Sequence, residues 1–109
     1  MPDVYKVLGQ SNPAAATLTD AYTVPASTEA VISSITVANR SATPTDFRIS
    51  IAPAGAADSN EQYIAHTVPL GANEAKAFTL GIGLEATDVV RVYATLATVS
   101  FGIFGVEKT

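Results

Sequence analysis

A chain of 109 residues has the length of one domain, enough to bury a single core. Charged residues make up only 15% and the formal net charge is −4, which excludes the phosphate-neutralising basic face that nucleic-acid binding needs. There is no cysteine, so neither a disulfide nor a thiolate metal site holds the fold, and packing with backbone hydrogen bonds must do so.

In chain order, strand-like runs recur about every 8 to 12 residues with turn residues between them, the spacing of an all-β sandwich or barrel. Residues 4–8 form the first run, closed by Gly9-Gln10-Ser11-Asn12-Pro13, where Pro13 drives Asn12 towards extended geometry. Residues 1–13 therefore read either as a strand of the sandwich or as an N-terminal arm reaching to a neighbour. Residues 18–24 form the second run, ended by Pro25, which has no ladder donor. Residues 29–39 are the longest and most β-branched run and predict a central strand. Alternation assigns Val31, Ser33, Ile35 and Val37 to one of its faces and Ile32, Ser34, Thr36 and Ala38 to the other. Residues 46–51 set Phe47, Ile49 and Ile51 against Asp46, Arg48 and Ser50, and the connection 40–45, with Pro44, predicts a hairpin between these two runs.

Residues 52–60, rich in Pro, Gly, Ala, Asp, Ser and Asn, predict an exposed loop before a strand at 62–68 that Pro69 ends. Residues 71–76 suit one helical turn and 76–80 a further strand, after which Gly81-Ile82-Gly83 reads, like Gly71, as turn glycine. Residues 89–95 and 99–105, linked by 96–98, predict a last hairpin with Val99, Phe101 and Ile103 facing the core and Ser100, Gly102 and Phe104 facing away. Residues 1–109 thus read as a single all-β domain, an antiparallel β-sandwich of jelly-roll or immunoglobulin-like type with about seven or eight strands.

The chain offers little chemistry. Its single histidine, His66, alternates with Ile64 and Val68 and shares their apolar face unless a bulge intervenes, which is a structural position. The ten Asp and Glu are spaced singly, and the close group Asp58-Ser59-Asn60-Glu61 lacks the Gly and terminal Glu of a calcium loop. Asp88 is placed to close a turn with its short side chain. Neither a Gly-x-Ser-x-Gly elbow nor a phosphate-cradling glycine pattern is present. The expectation is therefore no catalytic set, no cofactor and no metal. Asn39-Arg40-Ser41 matches the glycosylation acceptor pattern, one that short sequences meet by chance. The opening Met1-Pro2-Asp3-Val4 has neither the basic nor the apolar segment of a signal peptide. Residues 92–106, rich in Thr, Ser and Gly, are too short and polar to span about 30 Å of hydrocarbon, so no membrane partner is expected.

Val7-Leu8-Gly9-Gln10-Ser11-Asn12-Pro13, followed by Thr17-Leu18-Thr19-Asp20-Ala21-Tyr22-Thr23-Val24-Pro25-Ala26, resembles the opening of small structural proteins of tailed bacteriophages. Ser34-Ile35-Thr36-Val37-Ala38-Asn39-Arg40-Ser41, Phe47-Arg48-Ile49, Pro53-Ala54-Gly55-Ala56-Ala57 and Asp88-Val89-Val90-Arg91-Val92-Tyr93-Ala94 are similar to later blocks of the same group. The resemblance implies a virion component assembled in the host cytoplasm. Its first implication is a capsid cement or decoration protein that binds the major capsid protein or another virion protein as a homo-oligomer, a three-fold ring being favoured. The alternative it implies is a tail, fibre or baseplate-associated domain contacting a host receptor or glycan. Sparse charge and strand edges in need of cover give assembly a physical reason. The candidate interface residues are Tyr5, Val7, Leu8, Tyr63, Phe104 and Val106.

Overall fold

In a computed structural model that describes residues 4–108, the chain forms eight strands and two short 3-10 turns. The strands are β1 (Val4–Ser11), β2 (Thr19–Thr23), β3 (Glu29–Asn39), β4 (Thr45–Ala52), β5 (Tyr63–Leu70), β6 (Ala75–Leu84), β7 (Val89–Ala94) and β8 (Val99–Lys108). Residues 1–3 of the N-terminal segment lie outside the described residues, while Val4–Ser11 is a strand paired with β8.

Sheet A has the order β1-β8-β3-β6 and sheet B the order β2-β7-β4-β5, all neighbours antiparallel. The pairs β4/β5, β3/β6, β2/β7 and β1/β8 are nested about the loop between β4 and β5. One long hairpin ribbon has been folded over on itself, which is the jelly-roll form of the sandwich. This corrects both expected hairpins: β3 and β4 lie in different sheets, as do β7 and β8. The reason is burial. The apolar alternation of each strand needs a facing sheet about 10 Å away, so those connections arch between the sheets instead of turning within one.

The core fills the gap between the sheets. Ile32, Ile35, Val37, Phe101 and Ile103 from sheet A meet Phe47, Ile49, Val90 and Val92 from sheet B, all buried. Phe47 sits at the centre, edge-on to Phe78 at 6.0 Å and to Phe101 at 6.2 Å.

Bulges decide which residues face this core. In β3 the register shifts between Ile32 and Ser34 against both neighbours, so the parity of the strand changes midway. Ile32, Ile35 and Val37 all point inward and Val31 points out, which corrects the single alternation expected for this run. In β5 the register against β4 shifts between Phe47 and Ile49, and Thr67 takes a positive φ of 54°. His66 is consequently exposed together with Ile64, while Val68 packs against the core. β5 also runs through Pro69, tolerated because β5 is an edge strand of sheet B. β6 continues past its expected end at residue 80, so Gly81 and Gly83 are strand residues and not turn glycines.

Candidate interaction face

The outer surface of sheet A is built in rows across the four strands. Tyr5, Val106, Val31 and Gly83 form one row, and Val7, Phe104, Ser34 and Thr79 the next. Gln10, Gly102, Thr36 and Ala77 follow, then Ser100, Ala38 and Ala75. None of these residues carries a charge. Among the described strand residues, charge enters this face at one end, where Glu29 and Lys108 are direct cross-strand partners on β3 and β8, and exposed Arg40 follows β3 at the other end.

The face has an asymmetric relief. Its β1 side is raised: Tyr5 is 78% exposed and Val7 50%, and Val31 on β3 is 41% exposed. Its β6 side is flat, because Ala75, Ala77, Thr79, Gly81 and Gly83 all point out, while Phe78, Leu80 and Ile82 pack against the core. Between the two, the Phe104 ring lies over Gly102, where an added Cβ would come within 2.8 Å of both Phe104 Cζ and Thr36 Oγ1. Two clefts flank the face. One is lined by Gln10, Ser11, Asn12, Ser100 and Phe101, the other by residues that include Glu29, Val31, Gly83 and Lys108.

The outer surface of sheet B differs in kind. Arg91 on β7 donates from Nε to Asp20 Oδ1 at 3.0 Å and from its terminal nitrogens to the carbonyls of Ala56 and Gly55, which pins the loop after β4. The Arg48 guanidinium stacks over the Tyr93 ring at 4.6 Å, and Tyr63 meets the His66 ring edge-on at 5.0 Å. Burial and the nearby Asp58 carboxylate push the Tyr63 hydroxyl above its ordinary range. Asp88 accepts from the backbone N–H of Glu85 and of Ala54, both at 2.9 Å, so it closes its turn and also anchors the 3-10 turn Pro53–Gly55.

At one end of the sandwich, Tyr22, Glu107 and Lys6 join the sheets. The Tyr22 hydroxyl donates to Glu107 Oε2 at 2.5 Å, and Lys6 Nζ lies 2.6 Å from Glu107 Oε1. Lys6 first and Tyr22 second hold the Glu107 carboxyl below the usual range despite its burial. Among the described residues, no three His, Asp or Glu come together as a metal-ligand set, and no helix is long and apolar enough to cross a membrane.

Of the six candidate interface residues, Tyr5, Val7, Phe104 and Val106 are brought together on sheet A, paired as Tyr5 with Val106 and Val7 with Phe104. Leu8 is not with them: it follows outward-facing Val7 in the strand, so alternation points it inward, where it packs against the core. Tyr63 belongs to sheet B. Sequence reasoning missed Val31 and the flat stripe on β6. The stripe is visible as period-two alternation through 75–84, a signal hidden once Gly81-Ile82-Gly83 is read as a turn. The chain matches no protein-family model and no curated protein.

Proposed function

We propose that the protein is a non-enzymatic structural component of a phage virion, a capsid cement or decoration protein that assembles through the outer face of sheet A. The observation that carries this reading is the uncharged face itself. Depletion of charge around exposed Tyr5, Val7 and Val31, with half-buried Phe104 between them, matches the composition of an interface core, and an exposed cluster of large apolar side chains on one face is a common mark of an interaction site. The sequence resemblance supplies the virion context, and the sparse overall charge accords with it. The mechanism is thermodynamic. A subunit that binds the assembled head better than free capsid protein stabilises the head by mass action, and no residue has to react.

The alternative, a tail-associated domain that binds a host glycan, calls for open aromatic faces on which sugars stack. Arg48 already covers one face of Tyr93 and His66 packs against Tyr63, which lends that reading less support.

The experiment mixes the purified protein with expanded phage heads assembled without it and follows attachment and heat resistance. Saturable attachment with a higher disruption temperature, lost in the Thr79→Arg variant, supports the proposal. Attachment to tails or host cells in place of heads overturns it.

A further inference from the structure

Resting on that reading, we propose that the outer face of sheet A is occupied by a second copy of this chain, packed face to face about a two-fold axis parallel to the strands. Such an axis, lying over the boundary between β8 and β3, sets β1 of each copy over β6 of the other and β8 over β3. The relief of the face suits this operation. The raised side descends onto the partner's flat stripe, Tyr5 over Gly83, Val7 over Thr79 and Gln10 over Ala77, and the reciprocal contact is made at the same time. An axis perpendicular to the strands within the same plane would set β1 on β1, bulk against bulk, and leave the stripes facing an open gap.

Charge is complementary under the same operation. Glu29 and Lys108 occupy adjacent strands at one end of the face, on β3 and β8 respectively. The axis keeps that end in place and exchanges the two strands, so Glu29 faces the partner's Lys108 and Lys108 faces the partner's Glu29. Opposite charges across a rim fix register without placing charge in the centre.

The area is sufficient for a specific but reversible pair. Four strands about 4.8 Å apart and about nine residues long cover roughly 550 Å² per copy, about 1,100 Å² for two, at the low end of specific interfaces. Aligned sheet packing at about 10 Å spacing and −30° accommodates the twist of each sheet.

The test is sedimentation equilibrium of the full chain over a wide concentration range. The expected result is a reversible two-chain species whose dissociation constant rises at least about tenfold with Ala77→Arg or Thr79→Arg, both on exposed positions. Thr23→Arg, exposed on sheet B, should leave it unchanged. Glu29→Lys and Lys108→Glu should each weaken self-pairing, and a mixture of the two variants should form the mixed pair, an outcome specific to their juxtaposition across the axis. A chain that stays monomeric throughout overturns the inference, as does a three-chain mass or insensitivity to both β6 variants. Head attachment separates this failure from that of the proposed function: a monomer whose attachment Thr79→Arg abolishes uses the face for a capsid subunit, while a monomer whose attachment is unaffected fails both.

Discussion

The hydroxyl of Tyr22 on β2 and the carboxylate of Glu107 on β8 meet at 2.5 Å across the gap between the two sheets, with Lys6 completing the set from β1. Tyr22 is buried and its hydroxyl is pushed above its ordinary range, by burial first and then by Glu107. The carboxyl of Glu107 is lowered. These directions fix the pH behaviour. A carboxylate whose folded pKa lies below its unfolded value contributes fully above the ordinary range near about pH 4 and loses that contribution as pH falls through the lowered value. A tyrosine whose folded pKa is raised contributes fully below about pH 10 and loses it as pH climbs. Urea unfolding of the wild type should therefore show a plateau at neutral pH with losses on both flanks. Tyr22→Phe should lower the plateau by about 1 to 2 kcal/mol and flatten the alkaline flank.

Asn39 ends β3 and is only 3% exposed, yet its amide is fully used. Its Nδ2 donates to the carbonyls of Thr43 and Gly71, at 2.8 and 3.1 Å, and its Oδ1 accepts from Ser41 N–H and Thr98 Oγ1, both at 3.1 Å. One side chain thus ties together the loops following β3, β5 and β7. Asn39→Ala should cost about 2 to 4 kcal/mol, because several partners are left unpaired at once. Denaturant midpoints at constant m-value check this, and an effect below about 1 kcal/mol would show the loops to be held otherwise. The same burial makes Asn39 a poor glycan acceptor in the folded chain.

Gly102 and Gly105 separate two reasons for a strand glycine. A Cβ on Gly105 would lie 2.0 Å from the Val31 carbonyl oxygen and 3.0 Å from Ile32 Cα, backbone atoms at the bulge in β3 that cannot swing aside. A Cβ on Gly102 meets the tip of the Phe104 ring and the Thr36 hydroxyl, both movable. Gly105→Ala should destabilise by about 3 kcal/mol or more, and Gly102→Ala by about 1 kcal/mol. Gly102→Ala should also lift the Phe104 ring off the sheet, which a downfield or upfield change in its ring proton resonances would report.

The strands were legible because alternation is a local property: 46–51 and 99–105 show their inward residues directly, and Phe47, Ile49, Phe101 and Ile103 are where alternation puts them. The faces of β3 and β5 were not, because one extra residue, at Ser33 against β8 or Thr67 against β4, reverses parity and carries no distinctive residue type. Pairing was hidden for another reason. A jelly roll joins β1 to β8 and β2 to β7, strands far apart in sequence, while proximity along the chain suggests neighbours that the sandwich places in opposite sheets. Alternation pointed Phe104 outward, but that Tyr5 stands beside Val106 and Val7 beside Phe104 depends on this long-range register.

Two turns of the same build make the last prediction internally controlled. Glu85-Ala86-Thr87-Asp88 is closed by Asp88 N–H to the Glu85 carbonyl at 3.1 Å, and Gly71-Ala72-Asn73-Glu74 by Glu74 N–H to the Gly71 carbonyl at 3.2 Å. In each the third residue has a positive φ, 71° at Thr87 and 54° at Asn73. Asparagine tolerates the left-handed region, whereas a β-branched residue is strained there. Thr87 is exposed, so its side chain contributes little packing, and its N–H to the Val24 carbonyl at 3.0 Å survives substitution. Thr87→Asn should therefore stabilise the domain by about 1 kcal/mol, a rise of roughly 4 to 8 °C in Tm, and Asn73→Thr should cost a similar amount. Thr87→Val, which keeps the branching, should give no gain. Thermal unfolding of the three variants decides it, since equal stability of Thr87→Asn and Thr87→Val would remove backbone strain as the cause.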